Sequence, residues 1–317
     1  MRLCWIPLVA SVACAGDTPG LGTTSTQPVD YDTWTEHSVD GCNGETLAAQ
    51  TYAREGATAQ LLIVPGYTEY TDKYHHMADL TEGRDVDVIV YDHYGQGRSS
   101  GVRAHIPDLD GQQVCDLQNI VDALIDPDRP LYLMAHSMGG LITARWLQQG
   151  GSADRVILSA PALRLDTDSS GFSYELAKSL AAAGVEAGNA EEPYGEASPR
   201  VDCAENTVTH DCERYDLFKD DPLTLIGPTT YGWLNESFQA GDAVVAAAST
   251  FPHDVTLFQA GDDKIVVNDI QDQFCTELDA VRPGACGVVT WRGAYHELLQ
   301  EIERQQVVDA AFQVFER

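Results

Sequence analysis

Residues 131–149 read LYLMAHSMGGLITARWLQQ, and this stretch decides the fold. Its first five residues form an apolar run of the kind found in buried strands, and the residues after the two glycines predict a helix. Between strand and helix lies Ser137, with small residues two positions away on each side, Ala135 and Gly139. A serine on a sharp strand-to-helix turn requires such small flanks, because larger side chains would collide with the turn. The stretch therefore predicts a nucleophile elbow with Ser137 as the nucleophile.

The helix that begins after Ser137 presents free backbone N–H groups and the positive end of its dipole to the serine. Both favour negative charge that develops on an oxygen in a transition state. The N–H of Met138 is therefore one candidate oxyanion donor. The second is expected in the loop after the first buried strand, where Gly66 allows close backbone approach and the N–H of Tyr67 is the candidate. The alternative interpretation of that loop is an ordinary Pro-Gly turn.

A serine hydroxyl is a weak nucleophile, so the elbow predicts a base that is itself held by an acid. In chains with this elbow the acid and then the histidine come after the serine, following the last two strands. Beyond the last strand-like run the chain has one histidine, His296, in the sequence GAYHE at 293–297. His296 is therefore the candidate base. The alternative interpretation is a helix-start residue that caps the run from Leu298 onward.

The acid is expected after the preceding strand-like run, where the chain reads AGDDKIV at 260–266. Two neighbouring aspartates are available there, Asp262 and Asp263. The acid in such loops is commonly followed by one residue and then by an apolar pair, which here is Ile265-Val266. This spacing favours Asp263 as the acid and leaves Asp262 as a solvated loop residue.

Short apolar runs alternate with longer amphipathic stretches along the rest of the chain. The runs are rich in Val, Ile and Leu, as expected for strands buried on both faces. This alternation predicts an α/β fold with a mostly parallel central sheet flanked by helices. The predicted strands lie at 61–64, 86–91, 131–135, 156–159, 255–259 and 288–291, and the predicted helices at 73–81, 112–125, 139–149, 233–248, 270–281 and 298–315.

The regular spacing of strands breaks once, between the runs at 156–159 and 255–259. The intervening residues 164–230 carry Asp, Glu, Ser and Gly clusters with weak periodicity, and they are too many for a loop in a compact domain. We interpret them as an inserted cap between two core segments, 31–163 and 231–317. A disordered acidic insertion is the alternative.

The chain has eight cysteines, of which Cys4 and Cys14 lie near the N-terminus. The other six predict up to three disulfides if the chain is exported. Six cysteines allow about 15 pairings, so the sequence does not fix the connectivity. Because no Cys-x-x-Cys or His-x-x-x-His spacing occurs, no metal site is predicted. The favoured pairs are the neighbours Cys203 with Cys212 and Cys275 with Cys286, which leaves Cys42 with Cys115.

The N-terminus predicts export. Residues 1–15 contain one arginine and an apolar stretch that is too short to span a membrane but suits a signal peptide. The stretch ends in Val12-Ala13-Cys14, which resembles the lipobox of bacterial lipoproteins and makes Cys14 the lipidation candidate, although Ser11 stands where that pattern usually has Leu. Cleavage after Ala15 and simple secretion form the alternative. Residues 16–30 predict a flexible linker, so the protein is expected in the cell envelope, lipid-anchored, or secreted.

Composition and charge exclude other classes. With 317 residues, 44% of them hydrophobic, the chain can bury a large core. Its 49 acidic residues against 19 basic ones give a formal net charge of -30. This charge argues against partners such as nucleic acid or an anionic membrane surface. No apolar run approaches the roughly 20 residues that span a bilayer.

The motifs in this order resemble the bacterial lysophospholipase and monoacylglycerol lipase branch of the α/β-hydrolases, from about residue 61 to the C-terminus. That resemblance implies an α/β-hydrolase fold without a cofactor and a cap that roofs an acyl-chain pocket. It gives Ser137, Asp263 and His296 the roles of nucleophile, acid and base, and it makes Tyr67 and Met138 the oxyanion donors. The motifs are PGYTE at 65–69, DHYGQGRS at 92–99, AHSMGG at 135–140, QAGDDKIV at 259–266, GAYHE at 293–297 and the post-cap GPTTYGWLNES at 227–237.

Two positions depart from the pattern. The lipase branch usually has His-Gly where this chain has Pro65-Gly66, as lysophospholipase-like members do, and Tyr94 replaces a common arginine. The resemblance predicts a serine ester hydrolase that releases a fatty acid from lysophospholipids or monoacylglycerols, with zwitterionic or neutral head groups because the chain is so acidic. The alternatives are a short-chain esterase or peptidase of the same fold, an acyltransferase, and a lipid-binding surface lipoprotein without activity.

Overall fold

The structure is a computed structural model that describes residues 33–167, 171–195 and 201–317. The predicted signal peptide, the linker at 16–30 and Cys14 lie outside the described residues. The described strands form one sheet in the order β1-β2-β4-β3-β5-β6-β7-β8, antiparallel at β1-β2 and β2-β4 and parallel from β4 to β8. The strands are β1 Thr35–Asp40, β2 Thr46–Tyr52, β3 Ala59–Val64, β4 Val86–Tyr91, β5 Leu131–His136, β6 Arg155–Ser159, β7 Val255–Ala260 and β8 Cys286–Trp291.

Helices connect the parallel strands and cover both faces of the sheet. A π-helix at Leu109–Val114 precedes the second helix, and 3-10 turns lie at Thr71–Tyr74, Cys203–Glu205 and Leu298–Gln300. The α-helices are α1 Met77–Leu80, α2 Cys115–Leu124, α3 Met138–Gln148, α4 Tyr174–Glu186, α5 Cys212–Phe218, α6 Tyr231–Ala246, α7 Asn268–Val281 and α8 Arg304–Phe315.

Two apolar layers enclose the sheet, because successive side chains of a strand point to opposite faces. On strand β5, Leu133 packs into the layer formed with α2, α3, α6 and α7, and its neighbour Met134 packs into the layer formed with α1 and α8. All six residues of β3 are buried. The predicted α/β fold with a mostly parallel sheet is confirmed.

Three details of the predicted elements are wrong. Strands β1 and β2 were not predicted, because neither contains a run rich in Val, Ile and Leu: β1 reads TEHSVD and β2 reads TLAAQTY. Strand β8 was predicted to be buried on both faces, but among the described strands it pairs only with β7, and residues 287–290 are exposed. The helix predicted at 298–315 is interrupted, since a 3-10 turn ends at Gln300 and α8 begins at Arg304.

Three disulfides tie the described chain together in the pairs that the spacing favoured. Cys42–Cys115 joins the β1-β2 turn to the start of α2, and Cys275–Cys286 joins α7 to β8. Cys203–Cys212 closes a short loop before α5. In the described ranges, no group of three or more His, Cys, Asp or Glu residues could hold a metal ion, and no helix is long and apolar enough to cross a membrane.

The described residues between β6 and α6 include the helices α4 and α5. Helix α4 packs against α6 through the small residues Ala177, Ala181 and Gly184. Gly184 is required for this approach, since a Cβ there would lie 2.0 Å from the ring of Tyr231. The segment follows the carboxyl end of β6, and Ser137 follows the carboxyl end of β5. Because β5 and β6 are parallel, the segment begins at the same edge of the sheet as Ser137.

Candidate active site

Ser137 lies between β5 and α3 in a strained turn with φ 52° and ψ -117°. Positive φ is costly for a residue with a side chain, and surrounding structure has to impose it. The turn presses closely on the loop after β3, because a Cβ on Gly139 would lie 2.3 Å from the carbonyl oxygens of Val64 and Pro65. Glycine is therefore required at 139, which is the steric demand that the sequence pattern indicated.

The side chains of Ser137, His296 and Asp263 meet in one hydrogen-bonded row. The Ser137 Oγ lies 2.8 Å from His296 Nε2, and His296 Nδ1 lies 2.8 Å from Asp263 Oδ2. All three residues are largely buried, with Ser137 7% and His296 5% exposed and the Asp263 side chain 0% exposed. The row is therefore screened from bulk water, where electrostatic interactions are weaker.

Asp263, and not its neighbour Asp262, faces His296. Its Oδ1 accepts hydrogen bonds from the N–H groups of Ile265 at 2.8 Å and Val266 at 3.1 Å. Burial alone would raise the pKa of Asp263, but His296 and these two N–H groups outweigh it and hold the pKa below its ordinary value. Asp262 is half exposed and pairs with Lys264.

Tyr67 and Met138, the two candidate oxyanion donors, come from two different parts of the chain, the loop after β3 and the start of α3. Met138 is the first residue of α3, directly after Ser137. The loop that carries Tyr67 is held through its two neighbours, since the N–H of Gly66 donates to Glu69 Oε2 at 2.6 Å and the N–H of Thr68 donates to Gln96 Oε1 at 2.5 Å.

The ring of Tyr67 contacts the segment that returns from the predicted cap. It packs against Trp233 with ring centroids 4.6 Å apart, and its hydroxyl donates to the carbonyl of Gly227 at 3.5 Å. Tyr67, Met138 and Trp233 also line one side of a small cavity. The loop that carries Tyr67 is therefore packed against the chain at the start of α6.

A buried group of charges, which sequence reasoning missed, supports this loop. Lys73 Nζ lies 3.0 Å from Glu69 Oε1 and 2.9 Å from Glu297 Oε1, and Tyr74 donates its hydroxyl to Glu69 Oε2 at 2.5 Å. Burial would raise the pKa of Glu69, but Lys73 and the hydrogen bonds from Tyr74 and Gly66 lower it to about 2. For Glu297, burial dominates over the attraction of Lys73, and its pKa is raised. The sequence signal was the i,i+4 spacing of Glu69 and Lys73.

Histidines beside the row are held neutral. Burial lowers the pKa of His136 to about 4, and its ring lies 4.7 Å from that of His296. Burial likewise lowers the pKa of His93 to about 4, and His93 Nε2 lies 2.8 Å from the carbonyl oxygen of Pro65. His93 belongs to the loop 92–99, which bonds the loop that carries Tyr67 through His93 and Gln96.

Comparison with known proteins places the chain in a family. The family described as serine aminopeptidase, S33, matches residues 55–303, and the chain belongs to it. Lysophospholipase L2 of Escherichia coli strain K12 is 31% identical over 266 residues, which are 78% of this chain and 77% of the relative. The monoacylglycerol lipase of Mycolicibacterium smegmatis is 26% identical over 285 residues, 87% of this chain and 95% of the relative.

Solved structures share the architecture. A soluble variant of the monoglyceride lipase of Saccharomyces cerevisiae superposes with a TM-score of 0.73 at 16% identity, over 92% of this chain and 97% of that one. The monoacylglycerol lipase of Paleococcus ferrophilus gives 0.68 at 18% identity, over 85% and 98%. The fold is that of the α/β-hydrolases, and the protein is an ester hydrolase.

Glu69→Gln is expected to lower the free energy of unfolding at neutral pH by about 3 kcal/mol, because it leaves Lys73 with one fewer buried partner. The pKa of Glu69 lies near 2 in the folded protein against an ordinary 4.5, so its charge stabilises the fold above that ordinary value. The contribution is lost as the pH falls from about 4.5 towards about 2. Denaturant unfolding of both proteins at a series of pH values measures this difference.

The exposed residue Glu82 supplies the control. The free energy of unfolding of Glu82→Gln should match that of the wild type at every pH. The gap in stability between the wild type and Glu69→Gln should narrow as the pH falls. An equal gap at about pH 7 and about pH 3 would contradict the role of the Glu69 charge.

Proposed function

We propose that Ser137, His296 and Asp263 are the nucleophile, base and acid of this ester hydrolase. The observation that carries the proposal is the unbroken row of hydrogen bonds from Ser137 Oγ through His296 to Asp263. The Asp263 carboxylate favours the tautomer of His296 that carries its proton on Nδ1. Nε2 is then left as the acceptor that faces the serine hydroxyl.

The reaction follows from these positions. His296 Nε2 takes the proton of Ser137 as Oγ attacks the ester carbonyl, and the carbonyl oxygen becomes negative. The N–H groups of Tyr67 and Met138 stabilise that oxygen. The protonated His296 then gives its proton to the leaving alcohol, and an acyl-enzyme remains on Ser137. Water, deprotonated by the same histidine, attacks the acyl-enzyme and releases the carboxylic acid.

We propose that the substrates are lysophospholipids or monoacylglycerols with zwitterionic or neutral head groups. Two relatives carry the names lysophospholipase and monoacylglycerol lipase, and together they align over most of this chain. The net charge of -30 disfavours anionic head groups. We further propose that residues 164–230 form a cap over the acyl chain. Within the same class, a short-chain esterase, a peptidase or an acyltransferase would use the same side chains.

The purified protein is expected to release fatty acid from lysophosphatidylcholine or from monoacylglycerol. Ser137→Ala should reduce the rate by at least about 10⁴-fold, because it removes the atom that forms the acyl-enzyme. Mass spectrometry of the released fatty acid measures the rate, and a fluorophosphonate probe should label the wild type at Ser137 but not the variant.

The outcomes separate the alternatives. Labelling of Ser137 without release of fatty acid from either lipid would overturn the lipid substrate but keep the nucleophile, and short esters and peptides are then assayed. Transfer of the acyl group to an added alcohol in preference to water would indicate an acyltransferase. Fatty-acid release that survives in Ser137→Ala would overturn the proposed nucleophile.

The adjacent aspartates provide a matched pair of variants. Asp263→Asn should lower kcat by about 10³-fold to 10⁴-fold, since an amide no longer holds His296 in the active tautomer. Asp262→Asn changes an exposed side chain with the same chemistry and should leave kcat within about twofold of the wild type. Steady-state rates on one soluble ester measure both. Equal effects of the two substitutions would contradict the role of Asp263.

We also propose that the protein is exported and anchored by a lipid on Cys14. The three disulfides fit an oxidising compartment. Intact mass spectrometry of the protein purified from cell envelopes should show a chain that begins at Cys14 with a diacylglyceryl-sized increment. Cys14→Ala should shift the protein from the membrane to the soluble fraction. A chain that begins at Gly16 without added mass would show simple secretion.

A further inference from the structure

We infer that the loop closed by the disulfide Cys203–Cys212 is a positioning element for the catalytic base. This loop, residues 203–212, is called the stapled segment below. It holds the residues on both sides of His296 and so fixes where the imidazole stands between Ser137 and Asp263. The inference rests on the proposed role of His296 as base.

The first contact is with the residue after the base. The N–H of Glu297 donates to the carbonyl of Val208 at 2.8 Å. One residue further along the stapled segment, the hydroxyl of Thr209 donates to the carbonyl of Gln300 at 3.0 Å. Thr209 is 1% exposed, so water does not compete for this bond. The stretch from 297 to 300 is thereby pinned at both ends to two adjacent residues of the stapled segment.

The second contact is with the residue before the base. The ring of His210 stacks on that of Tyr295, with centroids 3.8 Å apart and an interplanar angle of 22°. His210 also bonds the buried carboxylate of Glu301, through its N–H to Oε2 at 3.0 Å and through Nδ1 to Oε1 at 2.9 Å. The N–H of Tyr295 donates to the same Oε1 at 2.8 Å. Glu301 therefore links the stapled segment to the backbone on the amino side of His296.

Two charged contacts continue this interface. Asp211 Oδ2 lies 2.6 Å from Arg304 Nη1 at the start of α8. Arg214, two residues after the staple, donates from Nε and Nη2 to Gln300 Oε1 at 3.0 and 2.7 Å. Residues 295, 297, 300, 301 and 304 thus all contact residues 208–214.

The disulfide matters because the stapled segment has little apolar surface to hold its shape. The residues that it buries are polar, Asn206 and Thr209. Asn206 organises the turn by accepting from the N–H groups of Val208 at 2.9 Å and Thr209 at 3.1 Å and by donating to the carbonyl of Cys203 at 2.7 Å. Without burial to offset the entropy of ordering the chain, a covalent link between its ends is the main restraint.

Small displacements of a base are costly in rate. A shift of about 1 Å in a catalytic group can reduce the rate by about a hundredfold, even when the cause lies away from the reacting atoms. The stapled segment lies within the proposed cap, but the contacts described above join it to residues 295–304. Its release therefore frees the N–H of Glu297 and the ring of Tyr295. The expected signature is therefore a lower kcat with little change in KM.

The test compares two double cysteine variants of the full chain on a soluble chromogenic ester. Cys203→Ser with Cys212→Ser should lower kcat by about tenfold or more and slow fluorophosphonate labelling of Ser137 to a similar degree, with KM within about twofold of the wild type. Cys42→Ser with Cys115→Ser removes a disulfide at the opposite edge of the sheet. It should lower the Tm, and it should keep kcat within about twofold at temperatures where it is folded.

A pair of variants at Thr209 covers the case in which loss of the staple unfolds the protein. Thr209→Val keeps the shape but removes the hydroxyl that bonds Gln300, and it should lower kcat by about fivefold. Thr209→Ser keeps the hydroxyl and should restore kcat to within about twofold of the wild type. The inference is overturned if a folded staple variant, or Thr209→Val, keeps the wild-type kcat.

Failure of this inference is distinguishable from failure of the proposed function. If wild-type activity persists in His296→Ala, the base itself is misassigned and the proposed function fails. If His296→Ala is inactive while the staple and Thr209 variants match the wild type, the base stands and the positioning role alone is wrong.

Discussion

The candidate active site depends on the hydrogen bonds that His296 makes to Ser137 on one side and Asp263 on the other. The three residues follow three different strands, β5, β7 and β8, and those strands are parallel to their neighbours. Parallel strands end at the same edge of a sheet, which is how residues 33 and 159 positions apart in the chain come within hydrogen-bond distance. The large apolar sheet is the frame that holds the ends of these three strands together.

Buried polar groups surround this hydrogen-bonded row. Glu69 and Glu297 share the buried positive charge of Lys73, and the cluster ties the loop that carries Tyr67 to the residue after His296. The stapled segment ties the same turn from outside. Ser137, the loop that carries Tyr67 and the turn around His296 are thus linked by polar contacts as well as by the sheet.

Much of the fold and of the candidate site could be predicted from the sequence, because the signals lie in short stretches of neighbouring residues. The buried strands β3 to β7 are apolar runs, and the steric demands of the elbow select small residues at fixed offsets from Ser137. Strand β1 was missed because Val39 is its one apolar residue, and β8 was misjudged because its valines are exposed although they are apolar. The contacts of Thr209 with Gln300 and of His210 with Glu301 each join residues 91 positions apart, and no local sequence pattern predicts them. The contacts that hold the turn around His296 are therefore visible only in the structure.

Strand β8 has one further consequence. Its outer edge carries Val288 and Val289, each more than a third exposed, with no charged residue between Cys286 and Trp291 to discourage pairing. The net charge of -30 on each chain opposes the approach of two molecules along this edge. That repulsion is long-ranged in dilute buffer and shrinks to a few ångströms in concentrated salt. A high ionic strength therefore weakens the electrostatic protection of the β8 edge.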